Sequence, residues 1–186
     1  MKLLDLRFKK INICPNFCMM YYSEYVNFIE YKTYQHAQYK PNSSRGRTLV
    51  TYKKVRYFLI ILGLQRLIIS SKTVVHMIWH HSYDAVDEVI MHFSNDEAYK
   101  QFNKMHTRFL IEPWNMYLGL CTNKFNLFGS FVAIYSCWLV ILTVYNLLLR
   151  MCIKIKLMFL FVVIPDPYSL SRGMYVFLEP LIDKLN

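Results

Sequence analysis

Acidic residues are scarce in the first part of this 186-residue chain. Residues 1–72 hold 3 Asp and Glu against 13 Lys and Arg, whereas residues 73–186 hold 9 of each sign. The formal net charge of +10 therefore belongs entirely to the N-terminal segment. Such an excess of cations is typical of a protein that meets phosphate groups, either on nucleic acid or on an anionic membrane surface.

The sequence also lacks the features of a secreted protein and those of a zinc protease. Its five cysteines are an odd number and lie far apart, which argues against a disulfide framework. The N-terminal string MKLLDLRFKKINI carries charges where a signal peptide has a continuous apolar run. His76 and His80 are four residues apart, but the intervening Met-Ile-Trp contains no Glu, so the HExxH zinc motif is missing. We therefore expect a reduced, intracellular protein.

Charge is absent altogether from Phe125 to Leu149, a span of 25 residues. This span is long enough for one transmembrane helix, which needs about 20 apolar residues. It is also rich in Val, Ile, Tyr, Phe, Trp and Thr, which favour two or three buried strands. Periodicity does not separate the two interpretations.

Elsewhere the pattern marks a loop and a helix. The string PNSSRGR, residues 41–47, is polar and turn-forming. A helix is predicted near residues 95–112, because Asn95-Asp96-Glu97 suits a first helical turn and Pro113 ends the element.

Four strings occur in an order that resembles the CACTA-type (En/Spm-like) plant transposases. The first carries a Cys-Pro-Asn-x-Cys pair. The second carries Leu-Gln-Arg-Leu, Ser-Ser-Lys-Thr and Met-x-Trp-His in that order. The third is similar to the Leu-Gly-Leu-x-x-Asp-Gly-Phe-Asn-Pro-Phe-Gly string of that family, and the fourth to a Tyr-Leu-x-Pro-Leu helix start. They are INICPNFCMMYYSEYVNFIEYKTYQHAQYKP (11–41), KKVRYFLIILGLQRLIISSKTVVHMIWHHS (53–82), YLGLCTNKFNLFGSF (117–131) and VFLEPLIDKL (176–185).

The resemblance implies an RNase H-like catalytic region whose acidic triad holds two divalent ions, Mg or Mn, for phosphodiester cleavage. Its first strand falls on Leu118 to Phe125. The Asp of the family at the end of that strand falls on Asn123, and the following Gly falls on Lys124. A second Asp aligns with Tyr175, and the remaining acidic residue would lie beyond Asn186. The chain is therefore expected to be catalytically inactive.

The resemblance also implies a zinc site that this chain has lost. Cys14 and Cys18 could supply half of a tetrahedral thiolate site. The second cysteine pair of the family falls on Tyr31 and Tyr34, which cannot replace thiolates. Cys14 and Cys18 are thus expected to be free thiols, and no cofactor is expected in this chain.

The replacements relative to the family share one pattern. Each can arise by a single C-to-T change on one DNA strand, as deamination of methylated cytosine in a silenced element would produce. Where the family has proline, this chain has Leu127, Leu139, Leu148, Leu149 and Leu170. Tyr31 and Tyr34 stand in place of cysteine, Asn123 in place of Asp, and Asp166 in place of Gly. Loss of the prolines would also explain the long apolar span.

The sequence thus predicts an α/β protein with a partial RNase H-like region of first strands and a helix start. This region, residues 117–186, would follow a degenerate zinc-ribbon-like, loop-rich basic segment and linker (1–48) and a connecting region (49–116). The main alternative fold is one transmembrane helix over residues 125–149.

The predicted function is that of an inactive transposase fragment in the nucleus, with ancestral DNA transposition and no small-molecule substrate. One alternative is a single-span membrane protein anchored by residues 125–149. Another is a nucleic-acid-binding remnant, in which basic side chains interleaved with tyrosines contact phosphates and bases. Its contacts would be Arg45, Arg47, Lys53, Lys54 and Arg56, although a solvated basic linker is the favoured interpretation of these residues.

Overall fold

In the computed structural model, residues 7–31, 35–41, 49–78, 93, 96–126, 136–165 and 174–185 are described. Their strands are β1 (Phe8–Ile13), β2 (Glu30–Tyr31), β3 (His36–Ala37), β4 (Lys53–Phe58), β5 (Leu118–Asn126), β6 (Ser136–Val144) and β7 (Met158–Pro165). Five of them form one sheet in the order β1-β4-β7-β6-β5, while β2 and β3 pair with each other. The pairs β1/β4, β2/β3 and β4/β7 are antiparallel.

The helices are short. They are α1 (Ile61–Ile69), α2 (Val74–Met77), α3 (Glu97–Met105), α4 (Thr107–Ile111), α5 (Leu149–Cys152) and α6 (Glu179–Leu185), with 3₁₀ helices at Ser23–Tyr25, Ile155–Leu157 and Met174–Leu178. The protein is therefore a mixed α/β structure, as the sequence predicts, and its sheet is antiparallel. The RNase H-like fold of residues 117–186 and the zinc-ribbon-like character of residues 1–48 stay predictions.

Where the sequence predicts one helix near residues 95–112, the structure has two. Asp96 has extended backbone angles and precedes α3, and Glu97 lies in its first turn, where free N–H groups favour an acidic side chain. His106, with φ −118° and ψ 55°, then breaks the helical geometry between α3 and α4. The chain leaves α4 at Glu112, directly before Pro113.

The apolar span from Phe125 to Leu149 is not one helix. Its described residues include the end of β5, all of β6 and the first residue of α5, while residues 127–135 lie outside the description. Strand β6 reads SCWLVILTV and is largely buried along its length, as expected for an inner strand rich in β-branched residues. No helix in the described ranges is long and apolar enough to cross a membrane. The single-helix alternative is therefore wrong.

Strand β5 coincides with the first strand expected from the family resemblance. It begins at Leu118 as predicted and ends one residue after Phe125. The ring of Tyr145 fills the space that a Cβ at position 119 would occupy, so only Gly119 fits there without displacing the ring. Tyr145 also stacks on Phe93, with ring centroids 3.9 Å apart. The glycine of the Leu-Gly-Leu string therefore has a packing role.

Contacts divide the chain into two compact units, each built from several stretches. Unit 1 comprises residues 1–58, 122–139 and 162–186, and unit 2 comprises residues 59–121 and 140–161. In unit 1 the ring of Tyr57 is buried, and in unit 2 Asn146 is buried. Each of these residues forms hydrogen bonds that join distant parts of its own unit.

Candidate nucleic-acid interface

Pairing between β1 and β4 determines which of their side chains share a face. Successive side chains of a strand point to opposite sides, and residues directly opposite each other in an antiparallel pair point to the same side. Ile11 lies opposite Val55, and both are buried, so this side faces the core. The other side consists of Phe8 opposite Phe58, Lys10 opposite Arg56, and Asn12 opposite Lys54. We call these six residues the basic face.

The basic face combines three cations with no acidic side chain among its six positions. Lys10, Lys54 and Arg56 are all exposed to solvent. Lys10 and Arg56 are directly opposite each other, which places their Cβ atoms roughly 5 Å apart. The ammonium group of Lys10 and the guanidinium group of Arg56, at the ends of these side chains, carry the same charge and repel each other. An anion bound between them would relieve that repulsion.

Aromatic rings lie at one end of the basic face. Phe8 and Phe58 are tilted against each other with centroids 5.8 Å apart, and Phe8 is 45% exposed although it is a large apolar side chain. The Nζ atom of Lys10 lies 5.8 Å from the centroid of the Phe8 ring. The face therefore offers cations for phosphates and an accessible ring for stacking on a base.

The sequence identified only part of this face. Of the predicted contacts, Lys54 and Arg56 lie on it. Lys53 lies on the opposite side of β4, across from Ile13, and its Nζ is 3.6 Å from the centroid of the Phe17 ring. Because adjacent residues of a strand alternate sides, Lys53 is not part of the basic face. Arg45 and Arg47 lie outside the described residues.

Lys10 and Phe8 were missed by sequence reasoning. Polar and apolar residues of FKKINI alternate only over its last four positions, which is a weak strand signal. Nothing in that string shows that it pairs with residues 53–58. A basic run near the N-terminus was visible, but its partner strand was not.

The positions expected to carry catalytic carboxylates are exposed. Asn123 and Lys124 lie in β5 with their side chains in solvent. Tyr175 lies in the 3₁₀ helix Met174–Leu178 and is 73% exposed. Within the described ranges, no three His, Cys, Asp or Glu side chains come together in a group that could hold a metal ion.

The loop from Cys14 to Cys18 packs within a small core that is rich in aromatic side chains. The two Sγ atoms are 2.9 Å apart, with Cys14 buried and Cys18 partly buried. Cys14, Met19 and Tyr21 form a buried cluster, against which Cys18, Tyr25 and Phe28 pack. Burial, and next the hydrogen bond to Cys14, raises the pKa of the Cys18 thiol to about 12.

The strand pair β2/β3 lies close to this loop. Tyr31 pairs with His36 across the two strands, whereas Tyr34 lies outside the described residues. The hydroxyl of Tyr21 donates to the carbonyl of His36 at 3.1 Å, and Asn16 Nδ2 lies 2.7 Å from His36 Nε2. The ring of His36 therefore contacts Asn16. Of the two histidines four residues apart, His76 lies in α2 and His80 lies outside the described residues.

Comparison with known proteins gives one family. A family model described as "Transposase family tnp2" matches residues 87–186, more than half of the chain. The match includes β5, β6 and β7, while the basic face and the Cys14–Cys18 loop precede it. No curated protein and no solved structure matches the chain significantly.

Proposed function

The chain belongs to the tnp2 transposase family, and from this we propose that it is a catalytically inactive member whose remaining activity is binding DNA through its basic face. The family acts on DNA, which makes DNA the expected source of phosphate for this surface. A CACTA-type plant origin, a nuclear site of action and decay by cytosine deamination belong to the same proposal.

The pairing of Lys10 with Arg56 carries the DNA-binding part of the proposal. Residues 46 positions apart in sequence are brought opposite each other, and Lys54 extends the same exposed row. Phosphates of one strand lie several ångströms apart and release condensed cations when protein cations replace them. Three such contacts predict that affinity for duplex DNA falls roughly 40-fold between about 50 and 200 mM salt.

A charge-removal variant tests this surface. We expect Lys10→Gln, Lys54→Gln and Arg56→Gln together to weaken DNA binding roughly a hundredfold at low salt and to reduce the salt slope by about 3. Fluorescence anisotropy with labelled duplex and single-stranded oligonucleotides over a salt series measures both quantities. Addition of Phe8→Ala should weaken single-strand binding further, since stacking is worth about 1–3 kcal/mol per base.

The matched control removes two lysines and one arginine elsewhere, through Lys104→Gln, Arg108→Gln and Lys154→Gln, all at exposed positions. Both variants have the same net charge, so a general effect of charge would change both equally. Equal losses in the two variants, or an unchanged salt slope in the first, would refute a localised DNA-binding face.

The absence of catalysis is supported by the residues that replace the carboxylates. Asn123 has the shape of Asp without its charge, so it is a poor ligand for Mg²⁺ or Mn²⁺, which prefer carboxylate oxygens. Lys124 adds a cation beside it, and Tyr175 offers no carboxylate. Two-metal cleavage requires several carboxylates to hold both ions, and the residues at these positions do not fit such a pair.

We therefore expect that the substitution Asn123→Asp restores no nuclease activity. One carboxylate on an exposed strand holds a divalent ion only weakly, so cleavage of supercoiled plasmid with Mg²⁺ or Mn²⁺ should remain at the buffer background for wild type and variant alike. The Asn123→Ala protein serves as the control for changes at the same exposed position. Metal-dependent nicking by the wild type would overturn the proposed inactivity. Nicking by Asn123→Asp alone would instead contradict the expectation that one carboxylate is insufficient.

A further inference from the structure

The two thiols nearest each other in the described structure are those of Cys14 and Cys18. The Cys18 thiol donates to the Cys14 sulfur at an Sγ–Sγ distance of 2.9 Å. A disulfide bond is about 2.05 Å long, so the sulfurs need to approach by only about 0.9 Å. The pair is therefore already placed for bond formation by the folded loop.

Backbone hydrogen bonds hold this loop in shape without help from the thiols. The N–H of Phe17 donates to the carbonyl of Cys14 at 2.9 Å, and the N–H of Cys14 donates to the carbonyl of Met19 at 3.0 Å. Phe17 has a φ of 59°, a left-handed conformation that turns the chain back on itself. The proximity of the sulfurs is thus a consequence of the turn.

Among the described residues, the donors around the pair do not complete a metal site. Tetrahedral zinc needs four ligands, usually thiolates or imidazoles. In the ranges that the structure describes, no third His, Cys, Asp or Glu joins the two cysteines in a group that could hold a metal. The ring of His36, on the neighbouring β3, has its Nε2 beside Asn16. The surroundings are instead Met19, Tyr21 and other apolar or aromatic side chains.

We propose that Cys14 and Cys18 form a redox modification site, which closes to an intramolecular disulfide by exchange with a low-molecular-weight disulfide such as oxidised glutathione. Cys18 is partly exposed and Cys14 is buried, so Cys18 meets the oxidant and Cys14 resolves the adduct. The proposal is independent of DNA binding.

The exchange balances as two thiol–disulfide steps. The attacking species is the Cys18 thiolate, which is a small fraction of this thiol because its pKa is raised. It attacks one sulfur of oxidised glutathione, which forms a mixed disulfide and releases one glutathione thiolate. The Cys14 thiolate then attacks the Cys18 sulfur, which forms the Cys14–Cys18 bond and releases the second glutathione. The protons of the two cysteines pass to the two released thiolates. Cys14 and Cys18 are together oxidised by two electrons, and glutathione disulfide is reduced by two.

Three other cysteines provide controls within the same chain. Cys121 is exposed in β5, so glutathione should add to it and remain, in contrast to Cys18 with its adjacent partner. Cys137 and Cys152 are buried, and Cys152 donates to the carbonyls of Val144 and Leu147. Both should stay reduced while the protein is folded, so their reactivity reports unfolding.

The experiment incubates the full chain with oxidised glutathione, blocks remaining thiols and maps the peptides by mass spectrometry. We expect the peptide with Cys14 and Cys18 to lose two hydrogen masses, with more than about tenfold excess of disulfide over glutathione adduct because the second step is intramolecular. In Cys14→Ser, the same peptide should instead retain one glutathione on Cys18.

Three results would overturn the proposal. One is a wild-type protein in which Cys18 keeps its glutathione adduct. Another is a Cys14–Cys18 peptide that stays fully reduced while Cys121 is modified. The last is stoichiometric binding of Zn²⁺ that protects both thiols from oxidation, which would identify the pair as part of a metal site.

Discussion

Replacing Asn146 by alanine should lower the free energy of unfolding by roughly 3–5 kcal/mol. Asn146 is fully buried in unit 2. Its Oδ1 accepts the backbone N–H of Tyr117 at 2.8 Å, and its Nδ2 donates to the carbonyls of Asn115 at 2.8 Å and of Met77 at 3.3 Å. One side chain thus satisfies three backbone groups from two separate stretches of the chain.

The size of the effect follows from what alanine leaves behind. A buried polar group that loses its partner costs about 1–3 kcal/mol, and three groups lose theirs together, though relaxation and water entry reduce the sum. Tyr117 also packs in a cluster of rings, with Tyr99 at 4.7 Å and Phe109 at 5.0 Å between centroids. Displacement of its backbone would therefore disturb the packing of α3 and α4.

Urea denaturation followed by tryptophan fluorescence measures the difference. Asn123→Ala is the matched control, because it deletes the same amide from an exposed strand position and should change stability by less than about 0.5 kcal/mol. Similar midpoints for the two variants would show that Asn146 does not hold unit 2 together.

Replacing Tyr57 by alanine should cost about 3–5 kcal/mol, which is the range for deleting a buried aromatic ring. Tyr57 is 1% exposed, and its hydroxyl donates to the carbonyl of Phe177 at 2.9 Å and approaches Met20 Sδ at 2.8 Å. Its sequence neighbours Arg56 and Phe58 belong to the basic face. We therefore expect DNA affinity to fall together with stability.

The conservative change Tyr57→Phe separates the hydroxyl from the ring. It should cost about 1–2 kcal/mol, because the ring stays packed while the contacts of the hydroxyl with the Phe177 carbonyl and Met20 Sδ are lost. Burial raises the pKa of Tyr57 above its usual value of 10.0. The unfolded chain therefore ionises first, so the hydroxyl contribution is complete below pH 10 and is lost as pH rises toward the folded-state pKa. Tyr57→Phe should lack this loss above pH 10.

Tyr175 supplies the control for both changes at Tyr57. It is 73% exposed in the 3₁₀ helix, so Tyr175→Ala should change the unfolding free energy by less than about 0.5 kcal/mol. Urea unfolding at several pH values, with DNA anisotropy on the same samples, provides the comparison. A Tyr57→Ala protein as stable as Tyr175→Ala would contradict the packing of unit 1.

The predictions from the sequence agree most closely with the structure where they depend on residues that are adjacent in the chain. The strand starting at Leu118 follows from an apolar string in the family order, and the family match over residues 87–186 confirms the transposase resemblance at family level. The match does not include the strings at 11–41 and 53–82, so their likeness to the family stays a prediction. The helical segment before Pro113 was visible from its charged first turn, although its break at His106 was not.

The sequence by itself determined the family and the basic N-terminal third, because these depend on residue identity alone. Only the tertiary structure decided that β6 is a strand between two others, that Lys10 joins Lys54 and Arg56, and that Lys53 does not. Strand register joins residues far apart in sequence, and a shift of one residue moves every side chain to the other face. An uncharged apolar run is compatible with helix and strand alike, so its neighbours in space determine which one forms.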